Sequence, residues 1–277
     1  MEFRRPDTPE QASAVLSDGG VAVAGGTELV PLLQDGIVSA ETLVDLRAVV
    51  PRGVEGSRVG AGTSLAELEV DPEIPAALRD ACRLAASPQL RAMGTIGGNL
   101  LQATRCWYWR LKYPCWLHGG ERCFARETVH REHAIFANER CASAHPSDPA
   151  AALLALGASV RTDRRTLALR ELYRLPTEDD RSTTTLARDE LILELEVPAP
   201  DASVYLKQMD RRRWAFPLVG VAAARFGSEV RLALAGVAPI PWELSHSEAL
   251  DEATPLPGTT YKLDLARVLV RRAVAAV

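Results

Sequence analysis

Apolar residues open the chain in short runs broken by glycine. Gly20–Ala24 is a compact apolar run that reads as a strand. It stops at Gly25-Gly26-Thr27, and Glu28-Leu-Val-Pro-Leu-Leu33 then takes helical spacing. A second unit repeats this order, with Arg58–Gly62 as a strand and Ser64-Leu-Ala-Glu67 as a capping box opening a helix. Over residues 74–86 apolar positions recur at i, i+3 and i+4, which predicts a longer helix. From Ser87 to Ser147 the periodicity is lost, and glycine, aromatic residues, histidine and cysteine take over. So long an aperiodic stretch in a compact domain points to a segment organised by a ligand. Periodicity returns with a helix over 149–156 and strands over 158–162 and 190–197. Residues 203–209, 216–225 and 229–237 read as strands or a strand–helix mix, and an amphipathic helix over 263–277 closes the chain. The Thr-, Asp- and Arg-rich stretch 177–189 reads as a link between two lobes. These elements predict an α+β fold, with one domain over 1–176 and a smaller one over 177–277.

Composition narrows the class. The 277 residues are 47% apolar and 25% charged, ordinary for a soluble globular protein. A net charge of −4 gives no reason to expect nucleic acid or an anionic membrane as partner. No apolar run is long enough to span a bilayer, and the N-terminus lacks the apolar stretch of a secretory signal. The chain therefore reads as cytoplasmic, although a subunit exported with a folded partner would look the same. Only Lys112, Lys207 and Lys262 are lysine among 32 basic residues, so each lysine carries slightly more information than usual. In a reducing compartment the five cysteines do not read as a disulfide framework. Cys106, Cys115, Cys123 and Cys141 fall within 36 residues, while Cys82 stands apart in a helical pattern.

Two glycine clusters carry candidate binding chemistry. In Ala24-Gly25-Gly26-Thr27-Glu28, adjacent glycines after a strand let backbone N–H groups approach an anion, and Thr27 adds a hydroxyl; the same glycines would also serve a plain turn. Gly94-Thr95-Ile96-Gly97-Gly98-Asn99-Leu100 supplies a second glycine pair with a hydroxyl and an amide. Two such loops suit a ligand with linked phosphates, each contributing several neutral donors. Neither fits G-x-G-x-x-G or the lysine-containing P-loop, which disfavours a nicotinamide Rossmann site. The cysteines are spaced C-x8-C-x7-C-x17-C, which is no regular zinc ribbon, and four thiolates there would take Zn²⁺ or an iron–sulfur cluster. Buried structural cysteines are the plainer alternative, but Arg105, Lys112, His118, Glu121 and Arg122 are not apolar company. His118, His130 and His133 near them read as ligands or as solvated loop residues, and Arg211-Arg-Arg213 as an exposed charge run or a docking site for an acidic redox partner.

The paired motifs Ala24-Gly-Gly-Thr-Glu-Leu29 and Thr95-Ile-Gly-Gly-Asn-Leu100 resemble the flavoprotein (medium) subunit of the molybdopterin dehydrogenases, a family that includes carbon monoxide dehydrogenase, xanthine dehydrogenase and bacterial aldehyde oxidoreductases. The resemblance continues through His145-Pro-Ser-Asp148, Glu190–Pro198, Tyr205-Leu-Lys207 and Leu234–Trp242 into the terminal helix, in the family's order over nearly the whole chain. It implies a two-lobed FAD-binding domain of the vanillyl-alcohol-oxidase (PCMH-like) type, followed by a small α+β domain. Ala24, Gly25, Gly26, Thr27, Glu28 and Leu29 would wrap the FAD pyrophosphate. Thr95, Ile96, Gly97, Gly98 and Asn99 would cover the pyrophosphate and inner flavin edge, with Ile96 on the ring. Thr104 and Asp148 would also bind the cofactor, Ile192 would lie beside the flavin, and Lys207 would stabilise negative charge on the reduced ring. Read without the family, Asp148 before Pro149 is a helix N-cap and Lys207 a solvated strand lysine.

One branch of the family inserts a [4Fe–4S] loop after the second glycine motif. Arg105-Cys106-Trp-Tyr108, Tyr113-Pro-Cys115 and Arg122-Cys123 stand at that place, so the resemblance implies a cluster on Cys106, Cys115, Cys123 and Cys141 within a loop over 104–142. The implied role is an FAD-dependent electron-transfer subunit. It would sit between a large molybdopterin-binding subunit with a small [2Fe–2S] subunit and an external electron acceptor, in a complex oxidising an aldehyde or N-heterocycle. No catalytic residue is expected on this chain. The stretch from Trp242 to Tyr261 is shorter than the family pattern and lacks a helix, which bears on docking to partners. A stand-alone FAD oxidoreductase with its own substrate, and a non-catalytic zinc-binding scaffold, are the other readings.

Overall fold

The computed structural model describes residues 1–277. The chain opens with β1 (Glu2–Arg4), α1 (Pro9–Ser17), β2 (Val21–Val23), α2 (Leu29–Gln34) and β3 (Thr42–Asp45). These strands form a parallel sheet in the order β1-β3-β2, with the helices as crossovers. Thr8 caps α1 by accepting the Gln11 N–H, and Ala12 and Leu16 are buried with Val44, Val49, Leu191 and Leu193 in a small core.

Next come β4 (Val54–Glu55), β5 (Arg58–Gly60), α3 (Leu65–Leu68), α4 (Ala76–Leu84), α5 (Pro88–Met93) and α6 (Ile96–Leu100). The capping box at α3 forms as predicted: Ser64 Oγ accepts the Glu67 N–H, and Glu67 accepts the Ser64 N–H. The stretch read as aperiodic opens with α5 and α6 and is otherwise built from single turns, α7 (Trp107–Arg110), a 3₁₀ turn at Trp116–His118 and α8 (Phe124–Glu127). Then follow α9 (Asp148–Ala155), β6 (Ser159–Thr162), β7 (Thr166–Ala168), α10 (Leu169–Leu172) and β8 (Ile192–Glu196). The C-terminal part contains β9 (Ala202–Gln208), β10 (Val219–Phe226), β11 (Glu229–Ala235), β12 (Trp242–Leu244) and α11 (Thr260–Val274), so the three runs read as strands or mixtures are all strands.

β8 corrects the boundary expected at 176. It lies between β5 and β6 in the sheet β4-β5-β8-β6-β7, pairing Arg58 with Glu196 on one side and Val160 with Leu195 on the other. The first structural unit therefore runs past residue 196, and the polar stretch 177–189 is a loop within it. The third sheet, β12-β11-β10-β9, is antiparallel. Side-chain alternation splits its two faces between two cores: Ala222, Ala224, Ala233 and Ala235 join the core around α4 and α9, while Val221, Ala223, Leu232 and Leu234 join the core under α11. Alanines on the first face let the wholly buried α9 approach the sheet closely, and this fixes Asp148 at its first turn.

Candidate functional site

The first glycine loop leaves β2 and enters α2. A Cβ on Gly25 would stand 1.8 Å from the Met93 carbonyl oxygen, so the backbone of this loop lies directly against the loop that precedes the second glycine motif. Gly26 has φ +71°, a conformation that glycine takes without strain. Backbone N–H groups from Ala24 through Leu29 have no hydrogen-bond partner within the chain and stand half-exposed at the mouth of the loop. Consecutive free amides at a helix start suit a phosphate anion. The Glu28 side chain turns the other way: its carboxylate pairs with Arg105 and Arg110, each at 2.6 Å, and accepts the Ala103 N–H. Glu28 thus bolts the loop to the start of the cysteine segment.

The second loop behaves differently from the expectation that both loops share the donor role. Ile96 and Gly97 give their N–H groups to the Thr63 and Ala61 carbonyls, while Gly98 and Asn99 give theirs to Thr95. A Cβ on Gly97 would meet the Ala61 Cβ at 2.9 Å, so this glycine serves close packing. Ile96, expected against a flavin ring, is fully enclosed in the central core and offers no surface for a ring to cover. Asn99 Oδ1 accepts from the Ser147 hydroxyl at 2.5 Å, and Thr104 Oγ1 accepts the Cys106 N–H at 3.1 Å. Ile192 is likewise buried in the central core on β8.

Ser147, not Asp148, caps α9, accepting the Ala150 N–H at 3.0 Å. The Asp148 carboxylate is therefore free for tertiary contacts. It pairs with Lys207 Nζ at 2.8 Å and accepts from the Tyr205 hydroxyl at 2.5 Å; Lys207 also donates to the Leu84 carbonyl at 2.9 Å. The Lys207 side chain is wholly buried, so it is no solvated strand lysine. Burial pushes the Asp148 carboxyl up while Lys207 and Tyr205 pull against it, and burial with the adjacent Asp148 raises the Tyr205 phenol. Tyr205 enters the sequence reading only within the Tyr205-Leu-Lys207 motif, with no role of its own; its i, i+2 spacing from Lys207 on a strand is the signal that places both on one face.

Cys106, Cys115, Cys123 and Cys141, none in a disulfide, all line one small cavity closed by Tyr108, Trp116 and Phe124. Three of them share one local design. Cys106, Cys115 and Cys123 each stand immediately before a helical turn, whose first N–H groups favour the thiolate: Tyr108 and Trp109 at Cys106, Leu117 at Cys115 and Ala125 at Cys123. The His118 and Arg126 N–H groups bond the Cys115 and Cys123 carbonyls, and Cys123 Sγ accepts the Ala142 N–H at 3.4 Å. The Cys141 thiol bonds Cys123 and lowers it to about 6, raising itself well above the usual thiol value. Burial pushes Cys106 up to about 11 and also raises Cys115. No three His, Cys, Asp or Glu side chains are spaced to chelate a single ion, and the four cysteines line one cavity.

The neighbouring histidines separate by partner. His118 Nε2 bonds the Trp109 carbonyl, and His130 bonds Ala125 and Gly258. His133 Nε2 lies 3.2 Å from Cys106 Sγ, and burial, reinforced by the Lys262 charge, lowers its pKa to about 4. A larger cavity of about 300 Å³ opens beside this group, lined among others by Arg105, Cys106, Trp107, His133, His145 and Phe216. It does not include the glycine loops themselves; Arg105, held by Glu28, connects the two. Cys106 lines both cavities.

The family described as FAD binding domain in molybdopterin dehydrogenase matches residues 1–200. The aldehyde oxidoreductase FAD-binding subunit PaoB of Escherichia coli (strain K12) is 34% identical, over 96% of this chain and 94% of its own length. A carbon monoxide dehydrogenase medium chain of Afipia carboxidovorans is 37% identical over 36% of this chain and 38% of its own. Among solved structures, a carbon monoxide dehydrogenase from Hydrogenophaga pseudoflava superposes with a TM-score of 0.73 at 23% identity, over 100% of this chain and 96% of that one. Quinoline 2-oxidoreductase from Pseudomonas putida 86 superposes with a TM-score of 0.70 at 19% identity, again over 100% and 96%, and both superpositions speak to the fold. The free amides of the first glycine loop thus fall inside a matched FAD-binding domain, and the chain belongs to the FAD-binding subunits of the molybdopterin dehydrogenases.

Proposed function

We propose that this chain is the electron-transfer subunit of a molybdenum hydroxylase, holding FAD on its glycine loop and a [4Fe–4S] cluster on Cys106, Cys115, Cys123 and Cys141. Electrons enter from a large molybdopterin subunit through a small [2Fe–2S] subunit and leave to an external acceptor. The oxidised substrate is an aldehyde or N-heterocycle, bound on the partner, and the complex works in the cytoplasm, where thiols stay reduced. FAD, when bound, takes electrons singly and releases them as a pair.

This chain's residues supply the setting. Ala24–Leu29 offer free amides to a pyrophosphate, and Glu28 with Arg105 ties that loop to the cysteine segment. Lys207 and Asp148 form a buried ion pair. The observation that carries the reading is that Cys106 lines both the thiolate cavity and the larger cavity reached through Arg105. Four cysteine sulfurs lining one cavity supply the thiolate set that a [4Fe–4S] cluster takes. Co-expression with the genes of a large and a small subunit tests the role. A stable complex whose flavin absorbance bleaches anaerobically on adding an aromatic aldehyde or N-heterocycle supports it. A chain that purifies alone and turns over such a substrate unaided would favour a stand-alone oxidoreductase.

A further inference from the structure

Where the two cavities meet, Cys106 carries a contact that none of the other three cysteines has. His133 Nε2 lies 3.2 Å from its sulfur. The imidazole is held firmly: its backbone N–H bonds the His130 carbonyl at 2.9 Å, and its ring packs edge-on against Trp107 with centroids 5.0 Å apart. His133 is only 2% exposed, and its Nδ1 is buried with no partner. That orphaned atom decides the tautomer. A proton on Nδ1 would leave a buried N–H with nothing to bond, whereas a bare lone pair there costs less. The proton therefore sits on Nε2, and the Cys106 sulfur is the acceptor.

We propose that His133 is a positioning residue that donates Nε2–H to Cys106 Sγ and thereby sets the reduction potential of the cluster next to the flavin site. This rests on the reading of the four cysteines as cluster ligands. Cys106 stands immediately before a helical turn, as Cys115 and Cys123 do, and the imidazole is a donor that it alone has. An N–H group on a ligating sulfur draws electron density from it and makes the added negative charge of the reduced cluster easier to hold, which raises the potential. Placed on Cys106, it acts on the one ligand sulfur whose residue also lines the larger cavity.

The test is an EPR-monitored redox titration of the purified chain and of two variants. His133→Phe keeps a flat ring against Trp107 but removes the donor, and His133→Gln keeps a neutral N–H. The expected result is a cluster potential shifted downward in His133→Phe and returned toward wild type in His133→Gln, with the flavin potentials unmoved. Equal cluster potentials in wild type and His133→Phe overturn the role of His133 while leaving the cluster intact. Wild-type protein without iron overturns the cluster reading itself and the role of His133 with it. If His133→Phe fails to retain iron, wild-type protein grown on ¹⁵N-histidine decides. A histidine nitrogen coupling on the reduced cluster that vanishes in His133→Gln supports the bond, and its absence from wild type overturns it.

Discussion

Asp148 and Lys207 are opposite charges sealed from water, 2.8 Å apart, and each depends on the other. Lys207→Met leaves a buried carboxylate whose remaining side-chain partner is Tyr205, and the expected loss is about 3–5 kcal/mol in denaturant unfolding. The double variant Asp148→Asn/Lys207→Met should lose less than the two single losses added together. Gly25→Ala places a methyl group 1.8 Å from a backbone oxygen that cannot swing aside. It should destabilise by on the order of 1–3 kcal/mol and lower the FAD content per chain, measured by absorbance of released flavin. His145 is kept neutral by burial, its pKa lowered to about 3. The unfolded chain takes up a proton at this position near pH 6.5 and the folded one does not. Stability from this group is therefore complete above pH 6.5 and falls as the pH drops toward 3, by about 1.4 kcal/mol per pH unit. His145→Gln should flatten the acid limb of a stability–pH curve by that slope; an unchanged limb would show that His145 protonates freely in the folded state.

Glu28 shows how one position links two elements. Its backbone belongs to the start of α2, while its carboxylate anchors Arg105 and Arg110 at the entry to the cysteine segment. Glu28→Gln should cost about 1–3 kcal/mol, between the surface and fully buried cases, and should lower iron and FAD content together. Loss of FAD with full iron would show the two sites to be independent. Much of this was legible in the sequence. The capping box at Ser64, the helix over 76–84 and the strands β6 and β8 are read directly from the sequence, whereas β9, β10 and β11 read as strands or a strand–helix mix because burial on both faces of the sheet blurs their alternation. α7, α8 and the 3₁₀ turn are not legible there, because three or four residues hold no complete period. Their logic is instead the placing of cysteine before a turn, which becomes visible only when backbone N–H groups are seen around each sulfur. The second glycine motif reads like the first in sequence, but its amides are taken by Thr63, Ala61 and Thr95, contacts that depend on tertiary placement. His133 gave no signal that separated it from His118 and His130.

The molecule as a whole is more integrated than a two-lobe reading suggests. β8 returns after the long loop to the middle of the five-stranded sheet, and the C-terminal sheet shares its alanine face with the core around α4 and α9. Asp148 on α9 and Lys207 on β9 bridge these parts, so the C-terminal sheet is tied to α9. The cysteine segment is attached through Glu28, through Arg181 to the Gly120 carbonyl, and through the Ile135 and Phe136 N–H groups to the Val237 carbonyl. Replacing Cys106, Cys115, Cys123 or Cys141 by serine should abolish bound iron and largely spare FAD, because the free amides of residues 24–29 lie outside that segment; iron content unchanged by all four would remove the ligand assignment. The most direct test of the account is the absorbance spectrum of the purified chain together with its iron, zinc and flavin content. The account predicts flavin bands over a broad brown absorbance, with iron and FAD present and the brown component lost in the cysteine variants. A colourless protein that contains zinc would contradict it.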